Sequence, residues 1–143
     1  MGLAQIENPA LAFDSANQDN YSIQSSVVFT MIAGAAITKY TIVAITYSPS
    51  TGEFSCVTAG TGTTGDFTGI AIDAATVAGQ LIRVVIYGVA QVEGGATISA
   101  GAVFSAGASG KAAAASTTIG ANVGIIMQAV TSSTTGVCFV GKM

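Results

Sequence analysis

Hydrophobic and polar positions alternate most clearly between Phe67 and Val92, in FTGIAIDAATVAGQLIRVVIYGVAQV. Phe67, Gly69, Ala71 and Asp73 fall on one face of an extended chain, and Thr68, Ile70 and Ile72 on the other. A break of small residues ends at Gly79, and a run rich in Val, Ile and Tyr follows from Leu81 to Val92. β-Branched residues suit a pleated, half-buried surface, where their stiff χ1 loses little. The stretch predicts two strands joined by a short turn, with Gly88 marking a bulge, bend or close backbone approach inside the second.

The remaining chain supplies partners for this hairpin. VVFTMIAGAAI, from Val27 to Ile37, is compatible with a strand or a short buried helix, since periodicity alone does not separate them. TIVAITY, from Thr41 to Tyr47, alternates as a strand. SPSTGEF, with Pro49 and Gly52, has turn chemistry, and Glu53 to Thr58 returns as a hairpin partner. After Gly94-Gly95 the pattern gives a short strand, a turn at Gly107 to Gly110 and a small-residue strand. The four alanines at 112–115 favour helix by propensity, but so short a run does not nucleate one. Gly120 to Val130 and Gly136 to Val140 form a last pair of strands.

The two halves echo each other. Ile37-Thr-Lys-Tyr-Thr-Ile-Val is similar to Ile98-Ser-Ala-Gly-Ala-Val-Phe. Gly69-Ile-Ala-Ile-Asp-Ala-Ala-Thr, followed by Gly79 and a strand, is similar to Gly124-Ile-Ile-Met-Gln-Ala-Val-Thr, followed by Gly136 and a strand. Two related β-layers closing on each other would remove exposed strand edges. The expected fold is therefore all-β, a small β-barrel or sandwich of antiparallel hairpins over residues 26–143. Residues 1–25 differ: they hold Glu7, Asp14 and Asp19, several Asn and Gln, and Pro9, without alternation. They read either as an extended N-terminal arm ordered by contact with a partner or as an ordinary frayed terminus.

Charge changes the picture. Only 8% of the 143 residues are charged, against about 25% in an ordinary soluble domain. Little repulsion separates copies of such a surface, which favours work in contact with other protein. Lys39, Arg83, Lys111 and Lys142 are scattered, and nucleic-acid binding needs clustered cations to release counterions, so no nucleic-acid partner is expected. The apolar run from Val27 to Ile37 is too short for a membrane helix of about 20 residues. The first ten residues lack a basic n-region, so neither a secretory leader nor a membrane role is expected.

Candidate chemistry fails in turn. Gly60-Thr-Gly-Thr-Thr-Gly65 matches G-x-G-x-x-G, but a strand rather than a helix follows, and no acid stands about 20 residues on. Gly110-Lys111 lacks the phosphate-loop glycine at 105 and the hydroxyl at 112. The chain has no histidine, which removes histidine-assisted nucleophiles and histidine-bound metals. Cys56 and Cys138 read as buried or half-buried thiols. Asp66 and Asp73 sit at the two ends of one strand, about 20 Å apart by strand rise, and read as solvated loop acids. No enzyme and no cofactor are expected.

Most aromatics lie in strand-like runs and read as core. Phe13 and Tyr21 lie in the polar arm, and with Ile6 and Leu11 they are the candidate anchors into a partner.

Thr68-Gly-Ile-Ala-Ile-Asp-Ala-Ala, a small-residue turn, then Gly79-Gln-Leu-Ile-Arg-Val-Val-Ile-Tyr-Gly-Val-Ala resembles the small capsid cement, or head-decoration, proteins of tailed bacteriophages. Ile98-Ser-Ala-Gly101-Ala-Val103, Gly110-Lys-Ala112 and Gly124-Ile-Ile extend the likeness over about residues 37–141. Tyr40 stands where that family more often has Gly, and Gln80 where it often has Glu. The resemblance implies a β-rich, often trimeric protein of the virion. It would bind the outer surface of a capsid and reinforce contacts between major capsid protein subunits. A fibre or adhesin module that binds a host-surface glycan is the alternative, with Tyr47, Tyr87 and the Asp66 loop as its candidates.

Overall fold

The computed structural model describes residues 26–61 and 67–141. The expected arm, residues 1–25, lies outside them. Among the described residues there are nine strands: β1 (Ser26–Ala33), β2 (Ile42–Ser48), β3 (Glu53–Thr58), β4 (Phe67–Ala71), β5 (Leu81–Glu93), β6 (Val103–Ala106), β7 (Ala112–Ala114), β8 (Asn122–Ile126) and β9 (Thr135–Val140). The ambiguous run after Ser26 is a strand. Its β-branched residues lie opposite β5, and Met31 and Ala33 alternate inward.

The sheet runs β1-β3-β2-β4-β5-β9-β8-β6-β7, and β1 also pairs with β5. That extra pairing closes β1 to β5 into a five-stranded barrel, as the hairpin pattern predicts. The β4–β5 hairpin is antiparallel with Ile70 opposite Val85, and β2–β3 is antiparallel from Val43–Thr58 to Ser48–Glu53. The seam between β1 and β3 is parallel. Met31, Val43, Ile45, Cys56, Ile82 and Val84 fill the barrel, with Ile37 and Ala75 plugging it from loops. The opposite faces of the same strands, at Ile42, Ile70 and Val85, join a second core with Phe104, Val123, Ile126 and Val130. β2 is therefore apolar on both faces from Ile42 to Ile45, like a strand buried on each side.

The internal repeat is real in the hydrogen bonds. Ile37 and Ala75 exchange N–H···O bonds of 2.8 and 2.9 Å, and Ile98 and Val130 exchange bonds of 2.9 and 3.0 Å. The Tyr40 N–H donates to the Ala71 carbonyl as the Gly101 N–H does to that of Ile126. Tyr40 (φ 65°) and Gly101 (φ 85°) both take the left-handed conformation. This is why glycine suits that place and why tyrosine is unusual there. Gly34 N–H reaches the Cys56 carbonyl, and Gly95 N–H that of Ala112.

Two expectations about the repeat need correction. The halves do not close on each other as two layers; they stand side by side and share β5. Its first part pairs with β1 and β4, and its last part, Gly88–Glu93, pairs with β9. The second unit closes by a single parallel bridge, Gly94–Ala112, at the place of the β1–β3 seam. The counterpart of Gly79 is Ser133, not Gly136. Gly79 and Ser133 donate to the equivalent carbonyls of Ala33 and Gly94, both at positive φ.

Gly88 (φ 109°) lies where β5 passes from one neighbour to the other, opposite both Ser26 and Val140. Just before it, the β1 register shifts between Val27 and Val28, leaving Ile86 as the extra residue of a bulge.

Candidate functional site

Strands of the first barrel run on past its closed core, and their inward-facing positions there carry large apolar residues. Phe29 follows the parity of Met31, Tyr47 that of Ile45, Phe54 that of Cys56 and Phe67 that of Ala71. With Met31, Ile45 and Ile86, three of these four, Phe29, Phe54 and Phe67, line a cavity of about 320 Å³, and none of these described lining residues is polar. Phe54 is its hub: its ring stands 6.1 Å from that of Phe29, edge-on, and 5.0 Å from that of Tyr47. Phe67 is 77% exposed. An apolar mouth of this kind suits a protein or peptide side chain, because it offers area to desolvate and no fixed polar group to select a polar ligand.

The sequence reading put these rings in the core, and the structure corrects it. Phe29, Tyr47 and Phe54 are also exposed, whereas Phe104 is fully buried. The signal was their place at strand ends: Tyr47 directly precedes the Ser48-Pro49 turn, Phe54 follows Gly52-Glu53, and Phe67 follows Gly65-Asp66. The proposed anchors Ile6, Leu11, Phe13 and Tyr21 lie outside the described residues, as do Asp66 and most of the Gly60–Gly65 loop.

Asp73 is not a free solvated acid. The Arg83 guanidinium donates to it from Nε (2.9 Å to Oδ2) and Nη2 (2.8 Å to Oδ1), and the Arg83 N–H adds a 3.0 Å bond. The side-chain bond from Arg83 holds the Asp73 carboxyl below its ordinary value. A carboxylate with a lowered folded pKa stabilises the fold above the ordinary carboxylate pKa, and this stability is lost as pH falls through the folded value. Because both side chains are partly exposed, Asp73→Asn is expected to cost about 1 kcal/mol or less at pH 7. Urea midpoints of the two chains should converge as pH falls through the carboxylate range; a gap that persists in acid would remove the ion pair as its cause.

Cys56 and Cys138 are free, buried thiols, in different core clusters. Burial pushes them up to about 11 and about 12 respectively. Both should resist iodoacetamide at pH 8 in the folded chain and react after denaturation, since the thiolate is the nucleophile. Rapid native labelling would contradict the packing. Lys111 pairs with Glu93 at 3.1 Å beside a cavity of about 310 Å³ lined mainly by small residues and backbone. Among the described residues, no three Cys, Asp or Glu gather as a metal cluster, and no helix is long and apolar enough to cross a membrane.

No family model matches the chain, and no curated protein matches it. Among solved structures, the fold is similar to the crystal structure of the N base of the head fiber gp8.5 in bacteriophage phi29. The TM-score is 0.61 at 20% identity, covering 82% of this chain and 97% of that one. The two chains share a fold across nearly the whole of that base.

Proposed function

We propose that this chain is a structural protein of a phage particle, a decoration or cement protein that binds the outer surface of the capsid and reinforces contacts between its major subunits. The observation that carries the reading is the fold likeness to a head-fiber base. The resemblance of residues 37–141 to head-decoration proteins is what extends the reading from a phage structural protein to a decoration protein. Scarce charge and exposed aromatic side chains suit protein–protein attachment. The proposed partners are the major capsid protein and further copies of the chain, arranged as a trimer. Many modest contacts acting together give such a protein its hold.

The test is co-sedimentation of the purified protein with expanded capsid shells stripped of accessory proteins. Saturable binding at a fixed ratio to the major shell subunit is expected. A folded protein that stays in the supernatant would overturn the reading. Deleting residues 1–25, and with them Ile6, Leu11, Phe13 and Tyr21, should abolish sedimentation while leaving the β-type circular dichroism intact. Equal binding by the truncated chain would remove the arm from the interface.

Glycan recognition is the weaker reading. The Tyr47 ring is tilted against Phe54 at 5.0 Å and Tyr87 meets Phe139 edge-on at 5.2 Å, so neither offers a free stacking face, and the described residues that line the cavity carry no polar side chain to orient a sugar.

A further inference from the structure

The two barrels are built on one plan, so each serves as a control for the other. Where the first places Phe29, Tyr47, Phe54 and Phe67 at its mouth, the second has Ala90, Ala108, Gly110 and Asn122. Its β6–β7 hairpin is shorter, turning at Gly107 to Lys111. The tip of that hairpin tucks against the first barrel, with Gly110 close to Thr41, Ile42 and Thr58. The fold thus gives one mouth small residues, with Gly110 packed on the first barrel, and lines the other with rings that nothing among the described residues covers. The rings of the first mouth are not required to make this barrel. They are suited to holding something.

We infer that the first mouth seats the side chain of Tyr21, from the chain's own N-terminal segment. The position of β1 carries the choice. Phe29 forms one wall of the mouth, and Ser26, three residues earlier, starts the strand and donates its hydroxyl hydrogen bond to the Val89 carbonyl. Three residues of strand span roughly 10 Å. Tyr21 is five residues before Ser26, and five residues reach about 17 Å when extended. It is the first ring met on leaving β1, and its tether is long enough to turn back over the rim. A tyrosine fits an apolar seat with a wet rim: the ring is buried and the hydroxyl stays in water. Tethering raises the effective concentration to about the millimolar range, so one ring in one pocket is sufficient contact. Seating Tyr21 fixes where the arm leaves the barrel and leaves residues 1–20 free to reach further. This inference does not rest on capsid binding.

The test uses the full chain in free solution with Tyr21→benzoylphenylalanine, photolysed as a mixture of isotopically light and heavy copies and mapped by mass spectrometry. The expected products are cross-links within single copies to Phe29, Phe54 or Phe67, reduced several-fold by Phe54→Ser. No cross-link to the mouth, or cross-links only between light and heavy copies, would overturn the assignment. So would a chain carrying the photoprobe at Phe13 that labels the mouth while the Tyr21 probe does not. As a second readout, Tyr21→Ser should raise the fluorescence of an apolar-surface dye several-fold with unchanged circular dichroism. Unchanged dye binding would count equally against a seated Tyr21.

Discussion

A Gly124→Ala chain is expected to lose on the order of 3 kcal/mol of stability or more, and Gly69→Ala a comparable amount. These glycines stand at the same place in the two barrels, each facing a neighbouring strand's backbone. A Cβ on Gly69 would lie 2.5 Å from Val84 Cγ1 and 2.6 Å from the Val85 carbonyl oxygen. One on Gly124 would run into the Phe139 carbonyl and come within 3.2 Å of the Phe104 ring. A side chain can rotate away from such a clash; a carbonyl held in a ladder cannot. Gly60→Ala, with nothing within 4 Å of the added carbon, is the matched control and should stay within about 0.5 kcal/mol of the parent. Urea unfolding measures all three. A Gly124→Ala midpoint equal to that of the control would show that the strands separate more easily than their packing implies.

Phe104→Ala should cost about 3–5 kcal/mol. Phe104 is fully buried in the second core, at the position that Val43 holds in the first. Its ring lies over Gly124, so the bare glycine and the large ring are two halves of one packing solution. A domain of this kind has about 5–15 kcal/mol in total, so the loss would leave the chain marginal at 37 °C. The two sites touch and should couple. In a Gly124→Ala/Phe104→Ala chain the ring clash is gone while the Phe139 carbonyl clash remains, so the double loss should fall short of the sum. Strict additivity would mean that ring and glycine do not share a space.

Much of this architecture was legible because β patterning is local. Alternation at Thr41–Tyr47 and Phe67–Ala71, the turn at Pro49–Gly52 and the break before Leu81 place β2 to β5, and the pairings of Ile37 with Ala75 and Ile98 with Val130 bear out the repeat. What failed was non-local. The Gly69 and Gly124 motifs aligned correctly, yet the strand after Gly79 was matched to that after Gly136. Only the hydrogen bonds reveal Ser133, a serine at positive φ, as the counterpart of Gly79. Nor does a sequence show that one strand serves two barrels, because that depends on which edges meet. The mouth was missed for a related reason. Alternation tells which face a ring is on but not where along its strand the core stops, so Phe29 and Phe54 read like Phe104. Asp73 read as a loose acid because its partner, Arg83, belongs to the facing strand.

The shared strand has a consequence for how the molecule comes apart. In a chain of repeats joined by linkers, one unit can melt while its neighbour persists. Here, opening either barrel strips part of β5 of its partners and exposes apolar surface belonging to the other, since Val84 and Val85 face different cores. There is no cut that yields two intact halves. The amides of β5 should therefore exchange with solvent last and together, through global unfolding alone, so that two copies of one motif behave as a single cooperative body.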